Sequence, residues 1–258
     1  MSSFKAKLAE GKTLRVFAVA RIPSPVIVEI FGAAGGFDGF WMDQEHGGLT
    51  YEQIQTLALA GRANNFDCIV RMAPSCYSIV TQALEVGVGG VMAARIESAD
   101  HAEQFVQWAK FAPRGSRGLN ASGRDADFTF KPAAQFAEDA NRDTLVAIQI
   151  ETLGALNDVD AIAANDGVDL LFVGPSDLSQ ALGILGQFQN QKLWDAYAAV
   201  AAACRKHGKA WGTVCATPEF ADRVTDLGCQ MVNLGSDVQS LRRGIEFGKT
   251  AFARQFAL

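Results

Sequence analysis

Residues 37–72 read FDGFWMDQEHGGLTYEQIQTLALAGRANNFDCIVRM, and this stretch decides the fold. It opens and closes on short apolar runs rich in aromatic and β-branched residues, FDGFWMD (37–43) and FDCIVRM (66–72). Between them, TYEQIQTLALAGRANN carries its apolar residues at helical spacing and starts at Thr50, a residue type that caps helix N-termini. Strand, helix, strand is the unit of a parallel sheet.

Six further runs of the same kind extend the pattern in both directions: LRVFAVA (14–20), GGVMAA (89–94), LVAIQI (145–150), VDLLFV (168–173), AWGTVC (210–215) and QMVNL (230–234). Each is followed by a helix-like segment. In TPEFADRVTDLG, Pro218 sits just inside the helix start and Gly228 just past its end. Eight strands each followed by a helix predict a (β/α)8 barrel, an α/β fold, occupying residues 1–258 as a single domain. Two connections, 112–144 and 176–190, are longer than the rest, and long loops on a barrel are usually functional.

Composition narrows the function. The chain has 258 residues, 49% hydrophobic, with a net charge of -5 and no basic run beyond Arg242-Arg243. That balance gives no electrostatic footing for nucleic acid or an anionic membrane, so the expected partner is a small molecule. Five cysteines without C-x-x-C spacing fit neither a disulfide framework nor a zinc site and read as reduced thiols. With no signal-peptide pattern and no apolar window of membrane-spanning length, the expected location is the cytoplasm.

A barrel works at the C-terminal ends of its strands. There the sequence places Arg21, then Asp43-Gln44-Glu45-His46, Arg71, Arg95, Gln149 with Glu151, the GPSD segment ending at Asp177, Cys215, and Gly235-Ser236. Glu151 and Asp177 each stand at a helix start and, taken singly, could merely complement the helix dipole. Together, on neighbouring strands five and six, they are close enough to share a cation, and hard oxygen ligands suit Mg²⁺ or Mn²⁺, with Co²⁺ a further candidate. His46 stands three residues after Asp43, where a carboxylate could hold the imidazole in one tautomer as a general acid/base. Arg71 lies inside a strand and must meet a carboxylate, either the protein's own or a ligand's. No lysine falls on the rim, which disfavours Schiff-base chemistry, and no Walker loop, dinucleotide fingerprint or nucleophile elbow is present.

The segments FDGFWMDQEHG, IVRMA, ALEVGVGGVM, FAPRGSRG, IQIET, VDLLFVGPSDLSQALG and HGKAWGTV, in that order and spacing, resemble the HpcH/HpaI family of metal-dependent 2-oxo acid aldolases over nearly the whole chain. The resemblance implies a TIM barrel with a terminal helix exchanged between subunits of a homo-oligomer, a trimer or hexamer. It implies Glu151 and Asp177 as metal ligands, Arg71 as the residue holding the 2-oxo acid, and Gln149 as a pocket hydrogen-bonder. It further implies Gly174, Pro175 and Ser176 as backbone lining the pyruvate site, His46 with Asp43 as the acid/base dyad, and Glu45 as an acid near metal-bound water. The implied reaction is that of a class II aldolase, joining pyruvate to an aldehyde or cleaving a 2-oxo-3-deoxy-4-hydroxy acid. The departures fall on the acceptor side: Gln44 where glycine is expected, Arg95 in MAARIES without the usual proline, Arg21 at the first rim position, and the loop NASGRDADFTF. Arg95 or Arg21 could bind a second carboxylate, which keeps open another C–C lyase or decarboxylase acting on a 2-oxo diacid; a non-catalytic 2-oxo acid sensor is the third reading. In the last helix, Ile245, Phe247, Phe252 and Phe256 are expected to be buried, against a neighbour or within the subunit.

Overall fold

The computed structural model describes residues 3–257. Eight parallel strands close into a barrel in chain order: β1 (Leu14–Val19), β2 (Gly39–Asp43), β3 (Asp67–Met72), β4 (Gly90–Ala93), β5 (Leu145–Ile150), β6 (Leu170–Val173), β7 (Ala210–Val214) and β8 (Met231–Ser236). This is the (β/α)8 architecture that the alternating runs predicted. Each strand is buried on both faces, one toward the barrel interior and one toward the surrounding helices, which is why each reads as an almost unbroken apolar run.

Strand alternation decides which side chains reach the centre. On β3, Cys68, Val70 and Met72 pack outward against the helices, while Ile69 belongs to the interior cluster. Arg71, two residues on from Ile69, therefore shares its inward direction. The same alternation turns Trp41 inward on β2, Ala147 on β5, Phe172 on β6 and Met231 on β8, and carries Gln149 and Asn233 with them. Apolar residues fill most of the lower interior, with Asp67 at the start of β3 the buried exception, and polar ones gather toward the C-terminal end.

The lower end is closed by a helix, Phe4–Ala9, that the sequence analysis did not anticipate. Phe4 and Leu8 join the interior cluster, and the Phe4 backbone N–H donates to Asp67 Oδ2 at 2.6 Å. Gly39 allows this approach: at φ +158° a Cβ there would lie 2.0 Å from the Asp67 carbonyl oxygen and 2.5 Å from the Phe4 ring. With the bottom plugged, the barrel opens at the C-terminal mouth. Between β1 and β8 the register shifts, Val16 pairing with Asn233 but Ala18 with Ser236. That β-bulge extends β8 two residues past the predicted run. Among the described residues no helix is long and apolar enough to cross a membrane.

Candidate active site

A cavity of about 350 Å³ opens at the mouth, and its walls include His46, Arg71, Gln149, Gly174 and Asp177. A second hollow of similar size, about 360 Å³, lies between Arg62, Asp67 and Arg124. There Arg117 pairs with Asp125 and Arg124 with Asp127, so its charges already answer one another.

Asp43 ends β2 and caps the four-residue helix Gln44–Gly47, its Oδ1 accepting the His46 backbone N–H at 3.1 Å. The same carboxylate takes Arg71 in a two-pronged grip, Nε to Oδ1 at 3.1 Å and Nη2 to Oδ2 at 2.7 Å. Glu45 adds a second negative partner, its Oε2 lying 3.2 Å from Arg71 Nη1, and the guanidinium sits over the Trp41 ring at 4.9 Å. Arg71 thus meets the protein's own carboxylates, one of the two options left open by the sequence. Two of its five N–H groups are hydrogen-bonded, both to Asp43, and Glu45 adds its charge alongside.

The expected Asp43–imidazole contact is corrected. Both Asp43 oxygens are taken by Arg71 and by the His46 main chain, because an acid three residues ahead in a helix cap reaches the backbone and not the ring. The imidazole is exposed at the cavity wall, with Nε2 3.8 Å from Glu45 Oε2.

Glu151 follows β5 and is 2% exposed; with Arg95 and Asp177 it lines an adjoining hollow of about 290 Å³, and Asp177 is shared with the mouth cavity. Glu151 Oε1 accepts the Arg95 backbone N–H at 2.8 Å, and its Oε2 accepts from Gln149 Nε2. Burial pushes its carboxyl up to about 7, and the negative charges of Glu45 and Asp177 push in the same direction, against the Arg95 N–H and Arg71. Asp177 stands in the first turn of the helix Pro175–Ala181, directly after β6, and lines the cavity with Gly174, Pro175 and Ser176. Gly174 is the joint that lets these groups converge: a Cβ there would lie 2.6 Å from both Gln149 Nε2 and Glu151 Oε2. Among the described residues no three His, Cys, Asp or Glu side chains are grouped as a complete metal cage.

Arg95 holds its place through its main chain, at φ +56°, while its exposed guanidinium has only a 3.8 Å contact with Glu97. Arg21 lies on the rim, its N–H bound to Asp237 with those of Ala20 and Ile22, and its side chain outside the cavity wall. Cys215, just past β7, is buried, and burial pushes its thiol up to about 12, so it is no nucleophile at neutral pH. Two inward residues went unnoticed in the sequence. Trp41 and Asn233 both line the cavity, and their Nε1 and Nδ2 are buried without a hydrogen-bond partner. An asparagine in the middle of the run QMVNL was the available signal.

A closed parallel barrel whose mouth gathers carboxylates, a clamped arginine and unpaired amide groups is a TIM barrel with a polar C-terminal mouth, where such barrels carry their sites. Within that class the chain belongs to the HpcH/HpaI aldolase/citrate lyase family, whose model matches residues 22–244. It is 30% identical over 253 residues to the 5-keto-4-deoxy-D-glucarate aldolase of Klebsiella pneumoniae subsp. pneumoniae, covering 98% of this chain and 97% of that protein. The protein of the same name from Shigella boydii is 32% identical over 243 residues, covering 93% of this chain and 92% of its own length. Among solved structures, an HpcH/HpaI aldolase from Desulfitobacterium hafniense DCB-2 superposes with a TM-score of 0.89 at 30% identity, covering 97% of this chain and 96% of that one.

Proposed function

We infer that this chain is a class II aldolase that cleaves or forms a C–C bond between pyruvate and an aldehyde, on a 2-oxo-3-deoxy-4-hydroxy acid. The observation that carries the reading is the gathering at the strand ends of Arg71, gripped by Asp43, and of the Glu151 and Asp177 carboxylates, which line one hollow, with burial pushing the Glu151 carboxyl up to about 7. A buried acid facing two others is relieved by a dication, and the donor set, two carboxylates, is the hard oxygen kind that Mg²⁺, Mn²⁺ or Co²⁺ accepts. Glu151 and Asp177 would hold the ion, which when bound supplies Lewis-acid stabilisation of negative charge on the substrate's oxygens.

The rest of the work falls to the chain's own groups. Arg71, held by two hydrogen bonds to Asp43 with Glu45 alongside, offers its free N–H groups to the 2-oxo oxygen, where negative charge develops as the C3–C4 bond breaks. The Gly174–Ser176 backbone and the Gln149 amide line the wall beside the pyruvate half. His46, exposed at the cavity wall, takes the proton of the C4 hydroxyl in cleavage and returns it in synthesis. A second reading, a lyase or decarboxylase acting on a 2-oxo diacid, draws on Arg95, which lines a hollow with Glu151 and Asp177 and whose guanidinium has only the Glu97 contact.

Exchange of pyruvate methyl protons in D₂O tests the main reading without an aldehyde. With Mg²⁺ or Mn²⁺ the methyl NMR signal should disappear faster than in a metal-only control. Arg71→Ala should slow the loss about 10²-fold, as for removal of one oxyanion donor. Full exchange in chelator-treated protein would remove the class II assignment, and oxaloacetate turnover without aldol activity would favour the second reading.

A further inference from the structure

Arg71 carries its charge into the barrel at 7% exposure, and the strand register sets what surrounds it. Along the ladder between β2 and β3, Asp43 pairs with Arg71 and Trp41 with Ile69. Asp43 is thus the lateral neighbour of Arg71. Trp41, two residues earlier on β2, shares the inward direction and becomes the diagonal neighbour, close enough in a sheet for an aromatic ring to meet a long side chain. The guanidinium carbon of Arg71 accordingly lies over the Trp41 ring, 4.9 Å from its centroid.

The two neighbours restrain different motions. Nε and Nη2 donate to the Asp43 oxygens along one edge of the guanidinium, and Nη1 faces Glu45. Edge contacts resist sliding in the guanidinium plane but oppose its tilt only weakly; a contact on the face stops the tilt. The support is itself fixed. Trp41 is 7% exposed, belongs to the interior cluster and meets Phe172 of β6 edge-on, the ring centroids 6.4 Å apart and the planes at 62°. In a close-packed interior such a ring has little freedom to turn. An aromatic face also suits the charge balance. Asp43 and Glu45 already outnumber the guanidinium between them, and a further carboxylate beneath it would repel an anionic 2-oxo acid. The negative face of an indole attracts the cation while carrying no net charge.

We propose that Trp41 is a positioning residue for Arg71, its ring fixing the tilt of the guanidinium so that the free N–H groups stay aimed at the 2-oxo oxygen. The proposal rests on the aldolase reading above. When a base removes a methyl proton from pyruvate, the C–H electron pair moves between C2 and C3 and the carbonyl pair moves onto the oxygen. The full negative charge stands before Arg71 only then, so its aim counts for more in the transition state than in binding.

Exchange of pyruvate methyl protons in D₂O with Mn²⁺ reads this effect without an aldehyde. Trp41→Leu should lower the exchange kcat about 10-fold, the size of a desolvated cation–π contact, with KM for pyruvate within about two-fold of the wild type. Trp41→Phe keeps a weaker aromatic face and should fall between, at about a 3-fold loss; it serves where the leucine variant fails to fold. A positioning residue acts only through its partner. In an Arg71→Ala background, measured at raised protein concentration, either Trp41 substitution should therefore cost less than about two-fold more. Equal losses with and without Arg71, or a raised KM at unchanged kcat, overturn the proposal and leave Trp41 as a filler of the barrel interior. A wild-type protein with no exchange above the metal-only control removes the aldolase reading and the proposal with it. Wild-type exchange that neither Trp41 variant alters removes the positioning role alone.

Discussion

Glu151 shows what single residues give up for this site. A carboxyl raised from 4.5 to about 7 holds its proton more tightly in the native chain than in the unfolded one. Without metal, native stability therefore falls as pH rises from about 4.5 to about 7 and is level beyond. At about 1.4 kcal/mol per pH unit, the loss is on the order of 3 kcal/mol. Glu151→Gln removes the titration, so in chelator-treated protein it should raise Tm at pH 8, with the advantage gone at pH 4. Added Mn²⁺ should stabilise the wild type and leave the variant unmoved. A Tm difference that is the same at both pH values would contradict this account. Glu151 and Asp177 were legible in the sequence because strand-end positions on neighbouring strands are fixed by the fold. Asp43 was legible as a site residue but not in its contacts: its position before Gln44–Gly47 makes it a cap, and the partner that takes its oxygens, Arg71, is 28 residues away. Asn233, polar within the run QMVNL, offered a local signal that was passed over, while Trp41 offered none, since nothing local tells an inward indole at the mouth from one in the core.

Elements carry these residues to one place, and the joint after β6 is the most constrained. Gly174 has φ -90°, so its backbone does not demand glycine; the space does. A methyl group there would sit 2.6 Å from Glu151 Oε2 and 3.2 Å from Glu151 Cβ. Gly174→Ala should push the carboxylate off its position beside Asp177, lowering pyruvate exchange at least 10-fold and weakening the metal-induced rise in Tm. The metal-free fold should lose only about 1–3 kcal/mol, as for local overpacking. An unchanged exchange rate would show that Glu151 has room to move. The eight strands were readable because burial on both faces makes each an apolar run, and the cap Thr50 and the first-turn Pro218 stand at observed helix starts. The end of β8 was not readable. Its bulge depends on pairing with β1, more than 200 residues earlier in the chain, and no local pattern encodes that register. The N-terminal helix was missed for a similar reason, since its two core residues, Phe4 and Leu8, acquire meaning only against Asp67 and Gly39.

At the scale of the molecule, the last long helix, Asp237–Ala251, does not close the account of buried surface. Asp237 is its one buried residue, while Leu241, Ile245 and Phe247 are 55%, 52% and 76% exposed. Phe252 and Phe256 beyond it are 61% and 64% exposed. Its apolar side faces Ile27, Ile30 and Phe31 of the helix Pro25–Ala34 across a groove of about 500 Å³. A helix of this length gains little stability on its own in water and needs an apolar contact to persist. The contact we expect is with a second copy, in a homo-oligomer, a trimer or hexamer, of 27.6 kDa subunits. Light scattering should give such a multiple at micromolar concentration, and a monomer there would rule the assembly out. Leu241→Asp with Ile245→Asp should reduce the mass and make Tm depend on protein concentration. The effect should reach the chemistry as well. Asp237 Oδ2 accepts the N–H groups of Ala20, Arg21 and Ile22, and Ser236 and Gln239, at the start of the same helix, line the cavity. A helix loosened by loss of its neighbour would slacken the β8–β1 wall, so pyruvate exchange should decline with the oligomer. Full exchange in a dissociated variant would show that the barrel holds this wall unaided.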